Sequence, residues 1–418
     1  MRWPRRSSSL LVAAGMLLLA GTATVPARAE RAAVSLPGSV VGYRFVDLGL
    51  GGDSTAIAVN DRGDVVGSTA VPIAFLWSGG RVRLLGTLGG SWSAASAVND
   101  RGQVVGRSGT RSGAAHAFLW AGGHMRDLGV VGTADAVNHH GVVVGTAFPR
   151  SGAPYAYRWS AGRLTSLTRY GIRAGPRTEV AAIDDAGRII GTDADGPFLL
   201  TGNRLVRIGG GTAGGTVGGP VRMTEAVAFG ADGAVVGTGR AADGSVAGVI
   251  RTSKGLSALE HGGVDPTSGG TGYGRVLGAD GDGGVVGITS VSTRVDPAPC
   301  LWYRGTMTVL PTPSDSAGYA VDVNRHSLVI GYSLRNAPGS AAIWIPGQYA
   351  VATAVGGSPA ARIAGQLPPG TTGGEVYLGR HSLSRPLPPH RSSTCCGRRP
   401  RGVTQGRAGH TTDQSTPS

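Results

Sequence analysis

The sequence has few charged residues, only three cysteines and a single lysine. Charged residues make up 15% of the 418 residues, so a highly charged disordered chain is a poor fit, and 73 glycines are too few for the one-in-three repeat of collagen. Three cysteines, two of them adjacent at Cys395 and Cys396, exclude a disulfide framework. Because 41% of the residues are hydrophobic, the chain can fill a large core, and a secreted all-β array is the better starting point.

Long hydrophobic runs are also missing. The apolar run from Leu10 to Ala20 is about half the ~20 residues that a bilayer-spanning helix requires. It follows three arginines and precedes Ala27-Arg28-Ala29, a small-x-small cleavage site. This pattern predicts a signal peptide over residues 1–29, cleavage after Ala29, and a secreted or cell-surface protein with no membrane span after cleavage. The Arg5-Arg6 pair leaves twin-arginine export open beside ordinary export.

The net charge of +14 is concentrated at the two ends of the chain. Residues 1–29 contribute four arginines and no acid, and residues 350–418 contribute eight arginines against two acids. The remaining +4 is spread over residues 30–349, whereas a duplex-binding surface needs basic residues concentrated on the folded part. We therefore expect no nucleic-acid partner.

A repeated segment dominates the middle of the chain. Its clearest copy is Ala97–Gly106, and its Val-Val-Gly end recurs at spacings of 39 to 50 residues, within the range of one four-stranded propeller blade. The repeated glycines are Gly67, Gly106, Gly145, Gly191, Gly237, Gly287 and Gly331. The pattern predicts an all-β fold: a seven-bladed β-propeller of four-stranded blades over residues 30–356.

Each copy is interpreted as four short strands. A tight turn such as Asn99–Gly102 joins the first two, because Asn and Asp bond locally to the backbone and the closing glycine accepts positive φ. In the last copy Ser327 replaces that glycine, which we expect to cost stability. Tryptophan recurs in the third strand, where we expect packing between blades. The column comprises Trp77, Trp120, Trp159, Trp302 and Trp344. A second column holds Phe75, Phe118, Tyr157, Phe198 and Cys300, so Cys300 is interpreted as a small buried apolar residue.

These motifs resemble the extracellular HAF-repeat family, with its Ala-Phe-Leu-Trp, Gly-Gly and Val-Asn-Asp-x-Gly-x-Val-Val-Gly elements. The match is close in the first three copies and looser afterwards, and it covers about residues 43 to 347. The order of elements is similar to that of kelch propellers. The resemblance implies a secreted protein, and the family has no established biochemical activity to transfer.

The phase of the repeat predicts how the ring closes. The segment Tyr43–Gly49 looks like a fourth strand without its own first three, and the last copy, Tyr319–Ile345, supplies three strands and needs one. We expect the N-terminal strand to complete that blade and hide the strand edges, with Val351–Val355 as a competitor for the same place. Residues 357–418 are rich in Pro, Gly, Ser, Thr and Arg, which predicts a disordered basic tail.

Loop lengths point to one face of the ring for a ligand. The turns between first and second strands are uniformly tight, whereas the length variation falls on the opposite face in copies three to six, and such loops commonly carry function. The candidate ligand-binding residues there are Arg169, Arg173, Arg177, Arg222, His261, Asp265, Arg294 and Asp296, with Glu179 nearby. Arginine forks suit carboxylate or sulfate groups, so an acidic extracellular polymer is one conceivable ligand. The alternative interpretation is solvated loop charge.

Catalytic and metal-binding patterns are weak. Asp280-Gly281-Asp282-Gly283 resembles the start of a calcium loop but lacks the later acid and coincides with the repeat's turn, and His139-His140 is another variant of that turn. We therefore expect no metal, no cofactor and no catalytic residues.

The sequence predicts a secreted, non-catalytic binding or scaffold module, a monomer whose partner is an extracellular glycan or surface protein. One alternative is a carbohydrate-active enzyme, a hydrolase or lyase acting on an acidic polysaccharide through Asp265 or Asp296. A second alternative is a purely structural surface protein.

Overall fold

The computed structural model describes residues 41–211, 220–241, 244–259, 274–289, 297–303, 306–313, 316–334 and 339–348. The predicted signal peptide, residues 1–29, and the predicted tail, residues 357–418, lie outside the described residues. What is described is almost entirely β-strand, in six antiparallel sheets. Two helical turns lie wholly within these ranges, Leu167–Tyr170 and Ala231–Gly233, and both are 3-10.

Five of the sheets have four strands each. The first is β2 (Thr55–Val59), β3 (Val65–Ser68), β4 (Ala74–Ser78) and β5 (Arg81–Leu84). Another is β13 (Glu179–Ile183), β14 (Ile189–Asp193), β15 (Gly196–Thr201) and β16 (Arg204–Arg207). The next is β17 (Arg222–Phe229), β18 (Val235–Arg240), β19 (Val246–Thr252) and β20 (Gly255–Ala258). It is followed by β21 (Gly274–Ala279), β22 (Gly284–Thr289), β23 (Ala298–Tyr303) and β24 (Thr306–Val309). The fifth is β25 (Gly318–Val323), β26 (Val329–Ser333), β27 (Ser340–Gln348) and β1 (Val41–Asp47).

The sixth sheet has seven strands and corrects the expectation of seven separate four-stranded sheets. Its strands are β6 (Gly89–Val98), β7 (Val104–Thr110), β8 (Ala115–Ala121), β9 (His124–Val137), β10 (Val143–Ala147), β11 (Tyr155–Ser160) and β12 (Arg163–Ser166). The 14-residue β9 pairs with β8 up to Val131 and with β10 from Gly132 onward. The second and third copies are joined because the chain stays extended between them, with no loop to separate the two ladders.

The N-terminal strand closes the fold as the sequence predicted. β1 pairs antiparallel with β27 as the outer strand of the last sheet, with Phe45 opposite Trp344 and Val46 opposite Ile343. The rings of Phe45 and Trp344 meet edge to face with centroids 5.6 Å apart, a favourable aromatic geometry. The competing segment, residues 351–355, lies outside the described residues.

Consecutive sheets pack face to face through apolar layers, and their first strands lie innermost, each beside the first strand of the next sheet. Trp120 packs with Val66 and Ala74 of the preceding sheet, and Trp344 packs with Val286 and Leu301 of the preceding sheet. Trp159 and Trp302 lie in the equivalent layers of their own sheets, and Trp77 is half-buried beside the layer between the first and last sheets. The molecule is therefore an all-β propeller of four-stranded units.

The repeated glycine has a steric cause that its spacing alone does not show. In every unit the first strand has a β-bulge opposite this glycine, which brings a main-chain carbonyl over its Cα. A Cβ at Gly67 would overlap the carbonyl oxygen of Thr55, and a Cβ at Gly331 would overlap that of Tyr319. On the other side the glycine faces the second column residue, as Gly67 faces Phe75. Only glycine therefore fits between the carbonyl of the bulge and the second-column residue on the neighbouring strand.

The tight turns form as predicted. In the first copy the amide of Gly63 donates to the carbonyl of Asn60 at 3.0 Å, and Gly63 has a φ of 79°. Ser327, at the glycine position of the last copy, has a φ of 58°, which is costly for a residue with a Cβ. The Tyr43 hydroxyl donates to the Ser327 carbonyl at 3.3 Å, so the closing strand also holds this strained turn. None of the helical segments described is long and apolar enough to cross a membrane.

Candidate ligand-binding site

Four of the predicted loop arginines lie among the described residues, and they are used in different ways. Arg173 is tied into the protein: its Nε is 2.7 Å from Asp195 Oδ2, and its main-chain amide donates to Asp193 at 2.8 Å. Arg169 lies over the ring of Tyr170 at 5.4 Å. Arg177 and Arg222 have exposed side chains. The other predicted residues, His261, Asp265, Arg294 and Asp296, lie outside the described residues.

Asp193 is the centre of a structural ion-pair network that sequence reasoning missed. Its side chain is fully buried, and Arg207 donates to both carboxylate oxygens, at 2.6 and 3.0 Å. Burial opposes ionisation, but the hydrogen bonds from Arg207 and from the amides of Arg173 and Asp195 outweigh it and hold the pKa of Asp193 below its usual value. This network fixes the loop before β13, so Arg173 serves the scaffold.

A more distinctive set of residues lies on the first and second strands of each unit, next to the repeated glycine. In each unit the residue after that glycine pairs directly with the residue whose carbonyl covers it. We call these seven cross-strand pairs, together with Asp135 on the adjoining bulge, the inner rim. The pairs are Thr55–Ser68, Ala94–Arg107, Thr133–Thr146, Glu179–Thr192, Glu225–Thr238, Arg275–Ile288 and Tyr319–Tyr332.

The inner rim varies where the rest of the unit does not. The flanking positions are small or apolar in all units, for example Ala56, Ala134 and Ala320, which are all fully buried. The rim members of the first strands are instead half-buried, and Glu179 is exposed. Because the backbone geometry is the same in each unit, the scaffold does not require these different side chains. The inner rim is therefore the candidate functional site.

Asp135 is an ionisable group of the inner rim with a raised pKa. Its Oδ2 accepts a hydrogen bond from Thr146 Oγ1 at 3.2 Å. Burial, with a smaller contribution from the charge of Glu179, raises the pKa of Asp135 to about 7, against the lowering effect of Thr133, Thr146 and Arg107. This carboxyl group therefore changes its charge near neutral pH.

The next two units continue the acidic side of the inner rim. Glu225 Oε2 lies 3.3 Å from an amino nitrogen of Arg275, which joins neighbouring innermost strands. Thr192 and Thr238, the cross-strand partners of Glu179 and Glu225, have buried hydroxyl oxygens without a hydrogen-bond partner among the described residues. Their counterpart Thr146 is satisfied by Asp135, so the acidic side has unused hydrogen-bonding capacity at two of its three threonines.

The opposite side of the inner rim is aromatic. The rings of Tyr319 and Tyr332 stack with centroids 4.7 Å apart and an angle of 17° between their planes. In the second unit, the guanidinium of Arg107 lies 5.6 Å from the ring centroid of Trp92, which is on β6 shortly before the rim residue Ala94. The inner rim thus combines carboxylates, guanidinium groups and flat aromatic surfaces at equivalent positions of different units.

The other sequence candidates are structural. Asp280 accepts from the amides of Asp282 and Gly284 at 2.7 and 2.9 Å, which makes its segment a capped turn. Cys300 is fully buried, and burial raises the pKa of its thiol well above the usual value. Across the described residues no group of three or more His, Cys, Asp or Glu side chains is arranged to hold a metal ion.

Sequence reasoning came close to the inner rim without identifying it. The sequence predicts Glu179 as a charge near the ligand-binding loops, whereas the structure makes it the first residue of β13 and a member of the inner rim. The usable signal was present: counting one residue on from each repeated glycine gives the second-strand half of the inner rim. The bulge conceals the first-strand half, because it shifts the register by one residue.

No family model and no curated protein matches the chain. Among solved structures, the extracellular domain of a hybrid two-component system from B. thetaiotaomicron is 11% identical with a TM-score of 0.45, over 72% of this chain and 39% of its own. A puromycin-hydrolyzing peptidase from Mycobacterium tuberculosis is 14% identical with a TM-score of 0.41, over 68% and 49%. A gluconolactonase from Xanthomonas campestris is 12% identical with a TM-score of 0.36, over 73% and 90%. The chain thus spans less than half of the first two proteins, and similarities this weak assign neither a ligand nor an activity.

Proposed function

We propose that the protein is an exported, seven-bladed, HAF-repeat-like propeller that binds an extracellular ligand at its inner rim without transforming it. The blade number follows from treating the seven-stranded sheet as two blades that share β9, whose two halves pair with different neighbours. The seven rim pairs and seven repeated glycines support this count. Export rests on the signal-peptide pattern of residues 1–29.

The observation that carries the binding role is the chemical diversity of equivalent rim positions. A repeat protein that only needed to close a ring would be served by the same small residues in each unit, as at Ala56 and Ala320. Instead the rim places charged, hydroxyl and aromatic side chains at equivalent positions of different units, which is the composition of a recognition surface.

A binding role without turnover is supported by how the described groups are engaged. Glu225 is paired with Arg275, and Asp135 accepts from Thr146. The Cys300 thiol is enclosed between sheets, so it is inaccessible as a nucleophile.

The test is a panel of extracellular polymers, both glycans and proteins, presented to the secreted chain, with mass spectrometry of the panel afterwards. We expect at least one partner to be retained and released unchanged, and retention to fall in the double variant E225Q/Y332A. Release of shortened products would instead support the enzymatic alternative. Retention of no partner, or retention unaffected by the double variant, would remove the proposed binding site.

A further inference from the structure

The balance of charge at the inner rim argues against a strongly charged ligand. Its acids are Asp135, Glu179 and Glu225, and its bases are Arg107 and Arg275. The two signs differ by one charge: the three acids lie on consecutive units with Arg107 and Arg275 on either side of them, and Glu225 is in contact with Arg275 at 3.3 Å. A site for a polyanion or a polycation needs an excess of one sign, because like charges must be neutralised by the ligand. The inner rim instead offers donors and acceptors in similar numbers.

The Tyr319–Tyr332 stack supplies an aromatic surface against which a flat, weakly polar face of a ligand can pack. The Tyr319–Tyr332 stack stands at the same structural position as the Glu225–Thr238 pair, and β25 lies beside β21, the strand of Arg275, so the rings and the Glu225–Arg275 pair occupy neighbouring innermost strands. Aromatic rings bury large apolar area at low entropic cost and present polar tips. A sugar ring has the matching chemistry, because its axial C–H groups form an apolar face while its hydroxyls point outward in the ring plane.

The acidic side has the groups that hydroxyls require. Carboxylates accept hydrogen bonds from neighbouring hydroxyls, and guanidinium groups donate to hydroxyl or ring oxygens. Thr238 is 7% exposed and its hydroxyl has no partner among the described residues, and register places it directly beside Glu225. An unpartnered buried hydroxyl costs free energy, but one enclosed to this degree is out of a ligand's reach, so the ligand's hydroxyls are met by Glu225 and Arg275 themselves.

We propose that the inner rim binds a neutral saccharide, with the Tyr319–Tyr332 stack against a sugar face and the Glu225–Arg275 pair on its hydroxyls. This inference rests on the proposed binding function and names the ligand class of that same site. It replaces the acidic polymer expected from the loop arginines, because Arg173 is committed to the scaffold and the rim charges are balanced.

The experiment uses the full secreted chain on an array of neutral, sulfated and uronic-acid oligosaccharides, followed by calorimetric titration of the best binder. We expect a neutral oligosaccharide to bind, with an affinity that changes less than about twofold when salt rises about tenfold. Tyr332→Ala is expected to weaken binding about tenfold or more, whereas Tyr332→Phe, which keeps the ring, stays within about threefold of the parent. The matched control is Tyr303→Ala, a 39% exposed tyrosine on β23 outside the rim, which leaves binding unchanged.

The outcomes separate this inference from the proposed function. Binding of sulfated or uronic-acid oligosaccharides alone, or of a protein ligand at the rim, overturns the saccharide assignment while the binding function stands. Neutral binding that survives Tyr332→Ala but is lost in Arg169→Gln/Arg222→Gln overturns the assignment to the rim. Thermal unfolding of each variant shows that the chain is folded, and a Glu225→Gln variant, expected to weaken binding about fivefold, tests the site if Tyr332→Ala unfolds.

Discussion

Two arcs of the ring hold neighbouring units together by different chemistry. In the linked arc, from the last sheet through the first and the seven-stranded sheet to β13–β16, the turn asparagine of each unit donates to a main-chain carbonyl of the next turn. Four such asparagine links occur among the described residues. They run from Asn324 to Asn60 at 2.9 Å, from Asn60 to Asn99 at 2.9 Å, from Asn99 to Asn138 at 2.8 Å and from Asn138 to Asp184 at 3.0 Å.

The unlinked arc, from β13–β16 through β17–β20 and β21–β24 to the last sheet, has no asparagine at the same position. Asp184, Gly230 and Asp280 stand there, and none has a side-chain amide to donate. Its three junctions use individual contacts instead. Arg188 lies 5.1 Å from the ring of Phe229, Glu225 pairs with Arg275, and the Trp344 indole donates to the Pro311 carbonyl at 2.6 Å.

The comparison of the two arcs shows that the turn asparagine has two separate functions. The asparagine side-chain oxygen caps its own turn, as when Asn99 accepts from Gln103 N at 3.0 Å, while its amide joins the next unit. Aspartate keeps the first function and loses the second. Glu225 and Arg275 lie in the unlinked arc and Glu179 lies where that arc begins, whereas Arg107 and Asp135 lie in the linked arc, so the charged inner-rim residues occur in both arcs.

The largest effect we expect is common to both arcs and would show that they share one scaffold. Gly106→Ala in the linked arc and Gly287→Ala in the unlinked arc should each destabilise the protein by about 4 kcal/mol or more, because a Cβ there overlaps a main-chain carbonyl of the bulge. Urea unfolding measures this, with Gly210→Ala, which meets no atom within 4 Å, as the control. A mild effect at Gly287 alone would mean that the bulge relaxes in the unlinked arc.

The repeat was readable from sequence because each unit is specified locally. Turn chemistry, alternating small residues and the Val-Val-Gly end all recur, and the pairing of the N-terminal strand with the last strand followed from the phase of the repeat. The single sheet across β6–β12 was not readable, because nothing in residues 129–132 distinguishes an extended crossing from a loop.

The inner rim and the asparagine links escaped sequence reasoning for a related reason. Both join residues of different units, and local patterns carry no information about which neighbour a side chain meets. The spacing from Asn60 to Gly63 is a local turn signal like that of Asn99–Gly102, whereas the bond from Asn60 to Asn99 forms only once the units are side by side. Glu225 and Arg275, 50 residues apart, meet for the same reason.

The next prediction concerns pH and Asp135, which lies on β9 in the linked arc and is influenced by the charge of Glu179 on β13. The pKa of Asp135 is raised from 3.8 to about 7, so the folded state keeps a proton that the unfolded state has released. This contribution to stability is complete below about pH 4 and is lost as pH rises to about 7, by about 2 to 4 kcal/mol. Asp135→Asn should remove that slope, measured as the difference in unfolding free energy from the parent at each pH. An identical pH profile in the variant would contradict the buried, protonated carboxyl.

A smaller loss of stability is expected when a substitution converts one linked junction into an unlinked one. Asn99→Asp keeps the oxygen that accepts from Gln103 N but removes the amide that donates to the Asn138 carbonyl. We expect a loss of about 1 to 2 kcal/mol at neutral pH, since a buried acceptor loses its partner. The matched control is Asn203→Asp, in an exposed turn between β15 and β16. Equal losses in both variants would assign the effect to added charge.

The smallest expected effect is a gain in stability from the opposite change, a substitution that adds an asparagine link to the unlinked arc. Asp280 stands where Asn99 does, and its Oδ1 already accepts from Asp282 and Gly284. Burial raises the pKa of Asp280, so ionising it costs stability as pH rises through the folded-state pKa, and the charge of Asp282 adds to that cost. Asp280→Asn keeps the acceptor, removes the charge and supplies an amide toward the Asn324 carbonyl. We expect a gain of about 1 kcal/mol at pH 7 and a smaller gain at pH 4, measured by urea unfolding. Asp232→Asn, an exposed acid in the neighbouring turn, controls for net charge, and the same gain there would show that the link contributes nothing.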